Sequence, residues 1–139
     1  MIIFTVEGQP IAQPRARITV RGGFANAYTP KDHPIHTYRQ AIQLQAREAM
    51  AGRPPLEGPV SIEVVFAFQR PKSHTKKQRQ QVEHCQKPDL TNLLKGLEDA
   101  LNGICWVDDS QICEIDSVQK QWSDDGGWTR IVIQEPTDN

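Results

Sequence analysis

Val60-Ser61-Ile62-Glu63-Val64-Val65-Phe66-Ala67-Phe68 is the stretch on which the fold turns. Val60, Ile62, Val64, Phe66 and Phe68 recur every second residue, the period of a β-strand, and β-branched and aromatic side chains dominate. It is the strongest strand pattern in the chain and reads as a central strand. A helical pattern lies on each side of it. Upstream, Tyr38, Ile42, Ala46 and Met50 fall four apart between 35 and 50. Arg39, Gln43 and Arg47 form a second, polar stripe, and Gly52-Arg53-Pro54-Pro55 stops the helix. Downstream, Pro88 precedes Leu90, Leu93, Leu94, Leu97 and Leu101, the spacing of one helix face, and Asn102-Gly103 is a C-terminal stop.

Working outward, residues 2–7 read as an opening strand closed by Gly8-Gln9-Pro10. Ile18-Thr19-Val20 and Ala25-Asn26-Ala27-Tyr28 flank Gly22-Gly23 as a short hairpin. Ile112 through Trp122 and Trp128 through Gln134 read as two strands joined by a turn at Asp124-Asp125-Gly126-Gly127, and are predicted to pair with each other. Residues 68–87 are polar, with few core candidates, and read as a mobile basic loop with one or two helical turns. Residues 135–139 read as a frayed tail. The expectation is one α+β domain over 1–139, a mixed sheet with two main helices packed on it.

Composition narrows the function classes. A chain of 139 residues buries a core without disulfides or a structural metal. No apolar run approaches the roughly 18 residues of a membrane span, and the start lacks the basic segment of a signal peptide, so a cytoplasmic location is expected. Cys85, Cys105 and Cys113 are odd in number, lack a C-x-x-C pair, and read as free, partly buried thiols. His84-Cys85 fits no ordinary zinc spacing. The net charge of −1 does not announce a nucleic-acid binder, but the distribution is polarised. Arg15, Arg17 and Arg21 crowd an early segment; Arg70, Lys72, Lys76, Lys77 and Arg79 crowd a middle one; acids concentrate after Glu98. A basic face beside an acidic site follows from this pattern, and so do ordinary solvated loops.

The chemistry is concentrated in Lys87-Pro88-Asp89-Leu90-Thr91-Asn92-Leu93-Leu94-Lys95 and in Val107-Asp108-Asp109. Asp89 alone reads as a helix N-cap and Asp108-Asp109 as turn formers. Together they read differently. The helix runs away from Asp89, and the short loop 102–111 can return Asp108 and Asp109 toward one sheet edge. Clustered carboxylates repel unless a cation joins them. Oxygen ligands without Cys or His suit Mg²⁺, or Mn²⁺, and such an ion serves phosphodiester hydrolysis. Lys95, on the polar side of the helix, is placed to meet a phosphate, or is simply a solvated lysine. Trp106 and Trp122 read as core or interface residues.

These segments, with Glu98-Asp99-Ala100-Leu101-Asn102-Gly103, Trp106-Val107-Asp108-Asp109-Ser110-Gln111-Ile112, Gly8-Gln9-Pro10, Pro14-Arg15-Ala16-Arg17 and Tyr28-Thr29-Pro30, resemble the RusA family of Holliday-junction resolvases, in versions found in prophages. The resemblance is weakest over 68–86. It implies an endodeoxyribonuclease acting on branched DNA in recombination and repair, without a small-molecule cofactor or membrane partner. It also implies a homodimer, since two symmetric nicks resolve a four-way junction. Carried onto this sequence, Asp89 and Asp109 match essential aspartates, Asp108 is an acidic neighbour, Lys95 matches the functional lysine and Asn92 the motif asparagine. Thr91 stands where the motif's second aspartate is expected, so metal binding by Asp89, Asp108, Asp109 and Thr91 has one charge fewer. Arg15, Arg17, Arg21, Lys72, Lys76, Lys77 and Arg79 are the expected DNA contacts. The rival readings are a junction-binding protein weakened in catalysis by Thr91, and a protein-interaction domain with incidental acidic loops.

Overall fold

The computed structural model describes residues 1–14 and 17–136. Its elements are β1 (Ile2–Glu7), β2 (Arg17–Arg21), β3 (Phe24–Tyr28), α1 (Ile35–Met50), β4 (Val60–Gln69), α2 (Leu90–Leu101), β5 (Ile112–Ser123) and β6 (Trp128–Gln134). Single 3-10 turns lie at Gln78–Gln80 and Asp109–Gln111. β1, β6, β4 and β5 form one mixed sheet in that order, and β2 with β3 a separate hairpin. The α+β expectation holds, and β4 is interior to the sheet as its pattern demanded.

One expected pairing is corrected. β5 and β6 are not partners: β4 lies between them, parallel to β5 and antiparallel to β6. Two strands joined by a short link normally pair. Here β4 offers both of them more: its side chains at 60, 62, 64, 66 and 68 are all buried, so it belongs between two neighbours. The 124–127 link crosses the end of β4, held there by the Arg70 N–H on Ser123 O at 2.8 Å and the Gly8 N–H on Gly127 O at 3.0 Å. Gly127 permits that approach, because a Cβ there would stand 2.7 Å from Gln9 Cα. The parallel β4–β5 pair requires a crossover connection, and α2 supplies it.

Both helices lie on one face of the sheet. Ile35, Tyr38, Ile42, Ala46 and Met50 of α1 and Leu93, Leu97, Ala100 and Leu101 of α2 meet Ile2, Phe4 and Val6 of β1, the alternate residues of β4, and Ile131 and Ile133 of β6. Tyr38 also hydrogen bonds Thr129 Oγ1 at 2.6 Å across this core, and burial pushes its hydroxyl up to about 12. Trp106 is buried, its indole N–H donating to Asn102 Oδ1 at 2.6 Å. It is therefore a core residue that closes the loop after α2. In the β2–β3 hairpin, Gly22 and Gly23 take φ of 58° and 85°, the left-handed pair that a two-residue hairpin turn needs.

The thiols differ from expectation: Cys85 and Cys113 are exposed, and only Cys105 is buried, its thiol pushed up to about 12 by that burial. The 70–87 segment is tied down at several points, for a reason invisible in its polar composition. Arg70 is buried, and its guanidinium donates to Gln78 O at 3.0 Å, Gln81 O at 2.9 Å and Asp124 Oδ1 at 3.2 Å. His84 stacks on Trp122 at 3.8 Å with 10° between the rings, and Phe68 meets His84 edge-on. Main-chain bonds from His84 N–H to Lys120 O and from Trp122 N–H to Val82 O add this stretch to the edge of β5. Of the tail read as frayed, 137–139 lie outside the described residues, and Glu135 and Pro136 carry no regular structure.

Candidate active site

α2 starts at Asp89, whose φ/ψ of −69°/138° is the extended geometry of an N-cap, yet its carboxylate makes no capping hydrogen bond. The usual structural use of an aspartate here is thus unfilled, and the side chain is exposed and free of that task. Thr91 and Asn92 follow on the exposed side of the first turn, while Leu93 and Leu97 face the core. Asn92 contributes its carbonyl, which accepts from the Gln13 N–H at 3.1 Å, and the Gln13 side chain accepts from the Arg39 guanidinium. The segment that leads into Arg15 is in this way fastened to the start of α2.

One helical turn further on, Lys95 stands between two carboxylates: Asp99 on its own helix at 3.7 Å, and Asp109 at 4.0 Å on the loop that returns from α2 to β5. The return predicted from the sequence thus brings Asp109 to Lys95. Its path is set by Gln111, whose side-chain amide donates to Leu56 O at 2.7 Å and Gly58 O at 2.9 Å while its oxygen accepts from the N–H groups of Val107 and Asp108. Asp108 has a different task from its neighbour. It caps the 3-10 turn, accepting from the Ser110 N–H at 3.1 Å in a reciprocal capping box with Gln111. Hydrogen bonding from Ser110, by its side chain first and its backbone N–H next, holds the carboxyl below the usual range.

Glu98 is also drawn into this centre. Burial first, and then the charge of Asp109, push its carboxyl above the ordinary glutamate range, and Lys95 only partly offsets them. The signal available in the sequence was its spacing: Thr91, Lys95 and Glu98 are separated by four and three residues, one helix face. Among the described residues, no three Asp, Glu, His or Cys side chains stand close enough together to hold an ion.

The expected DNA contacts are distributed over two segments. Lys72, Lys76, Lys77 and Arg79 are exposed between β4 and α2, with Arg79 also donating to Lys72 O at 3.1 Å. Arg17 and Arg21 are the end residues of β2, and Arg15 lies outside the described residues. No helix among the described residues is long and apolar enough to cross a membrane.

Fold and site together define an α+β domain with a carboxylate centre built around one lysine, at the point where a crossover helix begins and its loop returns. The chain belongs to the endodeoxyribonuclease RusA family, whose pattern it matches over residues 7–134. It is similar to the uncharacterized protein YqaN of Bacillus subtilis (strain 168), 35% identical over 133 residues that cover 89% of each chain.

Proposed function

We propose that this endodeoxyribonuclease is a structure-selective, Mg²⁺-dependent resolvase, which as a homodimer cuts four-way DNA junctions by paired nicks. The observation that carries the reading is the approach of Asp109 to Lys95 across the α2–β5 return, in a chain of the RusA family. An ion pair at 4.0 Å with a lysine side chain 59% exposed adds little stability, so its value to the fold does not explain it.

The donor chemistry fits a hard cation. Asp89 has a carboxylate without a capping bond, Asp109 is half-buried, and Glu98 is a partly buried carboxylate that is costly to ionise beside Asp109. All are oxygen ligands, the set preferred by Mg²⁺ or Mn²⁺. Asp89 and Asp109 would hold the ion, with the Thr91 hydroxyl in support, and taking it up requires these side chains to turn inward. When bound, the ion would supply an activated water and charge stabilisation at the phosphodiester. Asp108, occupied with its cap, would act by fixing the backbone that carries Asp109. Lys95 would then exchange a carboxylate partner for the scissile phosphate, and Asn92 would support the site. The lysines and arginines of 15–21 and 72–79 would hold the junction arms through phosphates.

The test is cleavage of a synthetic four-way junction with Mg²⁺, beside a linear duplex of the same sequence. Paired nicks in the junction alone are expected, with Asp109→Asn lowering the rate by at least about 100-fold, as loss of a ligand exceeds the effect of losing an outer-shell partner. Cutting of both substrates alike would refute selectivity. Thr91 favours one further reading, a junction binder of low activity. Under it, Thr91→Asp raises cleavage by orders of magnitude and leaves junction affinity unchanged. Under the resolvase reading the same change only lowers the Mg²⁺ concentration for half-maximal rate, by roughly tenfold, or about 1.4 kcal/mol.

A further inference from the structure

Lys120 lies on β5 between Val118 and Trp122, which pack against the core, and opposite the buried Phe66 of β4. A charged side chain in that position needs a reason. Among the described residues its amine has no carboxylate within 4.0 Å. It donates instead to two main-chain carbonyls, those of Gln86 and of Pro88, the latter at 2.7 Å. Both belong to the last three residues before Asp89.

The neighbourhood explains why a side chain is used here. Residues 82–84 run along β5 through main-chain bonds, the last from the His84 N–H to Lys120 O at 3.0 Å. Beyond His84 the chain turns away toward α2, and Pro88 has no N–H to offer. The Gln86 N–H is satisfied locally by His84 Nδ1 at 3.1 Å, leaving the carbonyls of Gln86 and Pro88 to be met from the sheet. An ammonium on a long stem is the donor that can reach both, and such charge-assisted bonds are short and strong. The start of α2 also lacks its usual tether, since the Asp89 carboxylate makes no capping bond.

We infer that Lys120 is a positioning residue for Asp89: by holding the carbonyls of Gln86 and Pro88 it takes over the anchoring of the α2 start and so frees the Asp89 carboxylate for the cutting site. The inference rests on the reading of Asp89 as part of that site. It extends the site by a residue on a different element, 31 positions along the chain, with no contact to the reacting groups.

The experiment compares the native protein with Lys120→Met, which keeps the stem but removes the donors, and Lys120→Arg, which keeps donors. Three quantities are read: the Mg²⁺ concentration for half-maximal junction cleavage, junction affinity in Ca²⁺, and amide exchange at Leu93, whose N–H closes the first turn of α2 on Asp89 O at 3.2 Å. Lys120→Met is expected to raise the Mg²⁺ requirement by about tenfold or more, the usual effect of losing a residue that orients a ligand. It should speed exchange at Leu93 and leave junction affinity unchanged, and Lys120→Arg should recover most of the loss. An unchanged Mg²⁺ requirement in an active Lys120→Met protein overturns the inference, even if its melting temperature falls. If Lys120→Met does not fold, Lys120→Gln, polar but too short to reach both carbonyls, gives the same two outcomes. Absence of cleavage by the native protein refutes the resolvase reading itself, and is told apart because the variants then have nothing to lose.

Discussion

At the scale of single residues, Glu98 shows how environment assigns a role that its position in the sequence only hints at. Its carboxyl is pushed up by burial and by Asp109, so the ionised form is penalised in the native state. A raised native value means a contribution to stability that is complete below the unfolded value, about 4.3 for glutamate, and lost as pH rises through the native value. Without metal, Glu98→Gln is therefore expected to be more stable than the native protein at pH 7.5, by about 1 °C in melting temperature given the partial exposure. The difference should vanish at pH 4, where both side chains are neutral. Excess Mg²⁺ should reverse the order at pH 7.5, because only the native protein offers the extra anion. Paired melting curves at the two pH values, with and without Mg²⁺, check this; a difference that persists at pH 4 would show that packing is the cause. At this scale the sequence was most legible. Of the residues singled out from the sequence, Lys95 and Asp109 meet. That Asp108 caps a turn while Asp109 faces the lysine was not legible, because adjacent aspartates in a loop have no periodic signature and only the capping box with Gln111 separates their tasks.

At the scale of elements, the strands and helices follow their patterns closely. α1 buries the stripe spaced by fours, and α2 starts after Asp89, without a capping bond from it, and ends at Asn102 before Gly103. The segment between β4 and α2 behaves otherwise. A polar sequence with little to bury reads as a loop without fixed partners, yet one buried arginine supplies bonds to carbonyls eight and eleven residues ahead. Arg70→Met keeps most of the apolar stem and removes those bonds. It is expected to cost about 2–4 kcal/mol in urea unfolding, as several charge-assisted bonds in a buried site are lost together. Residues 74–81 should become the first site of limited proteolysis. Wild-type resistance in that segment would mean that the stack of His84 on Trp122 suffices to hold it. That stack has its own pH signature: burial, and then the nearby Lys120, lower the His84 value, favouring the neutral ring that accepts from the Gln86 N–H.

At the scale of the whole molecule, the balance of charge matters more than its sum. The net charge is −1, yet the exposed lysines of 72–77 and the arginines that open and close β2 lie on other segments than the carboxylates of α2 and its return loop. Binding through phosphates predicts a steep salt dependence. Junction affinity should fall by about 10³-fold or more between roughly 50 and 200 mM salt, and replacing Lys76 and Lys77 with Gln should reduce the slope by about one for each phosphate that is no longer neutralised. A flat salt response would exclude the phosphate-gripping role of these segments. Sedimentation at working concentrations should give twice the chain mass if two protomers cut together.

The amino-acid sequence by itself determined the local elements and singled out the two segments that bring Lys95 and Asp109 together. Periods of two and of about 3.6, glycines at turns and a helix framed by Pro88 and Gly103 act over a few residues, and local preferences resolve them. What only the tertiary structure decided are the relations that depend on the cost of leaving surface or polar groups unsatisfied far along the chain. β4 separates β5 from β6 because its apolar residues at 60, 62, 64, 66 and 68 are all buried in the core, which suits a strand inside the sheet. Arg70 is buried because three oxygens converge on it. Lys120 turns toward Gln86 and Pro88 because the fold brings their carbonyls within reach of its amine. Each of these is a choice among partners that the whole fold brings together.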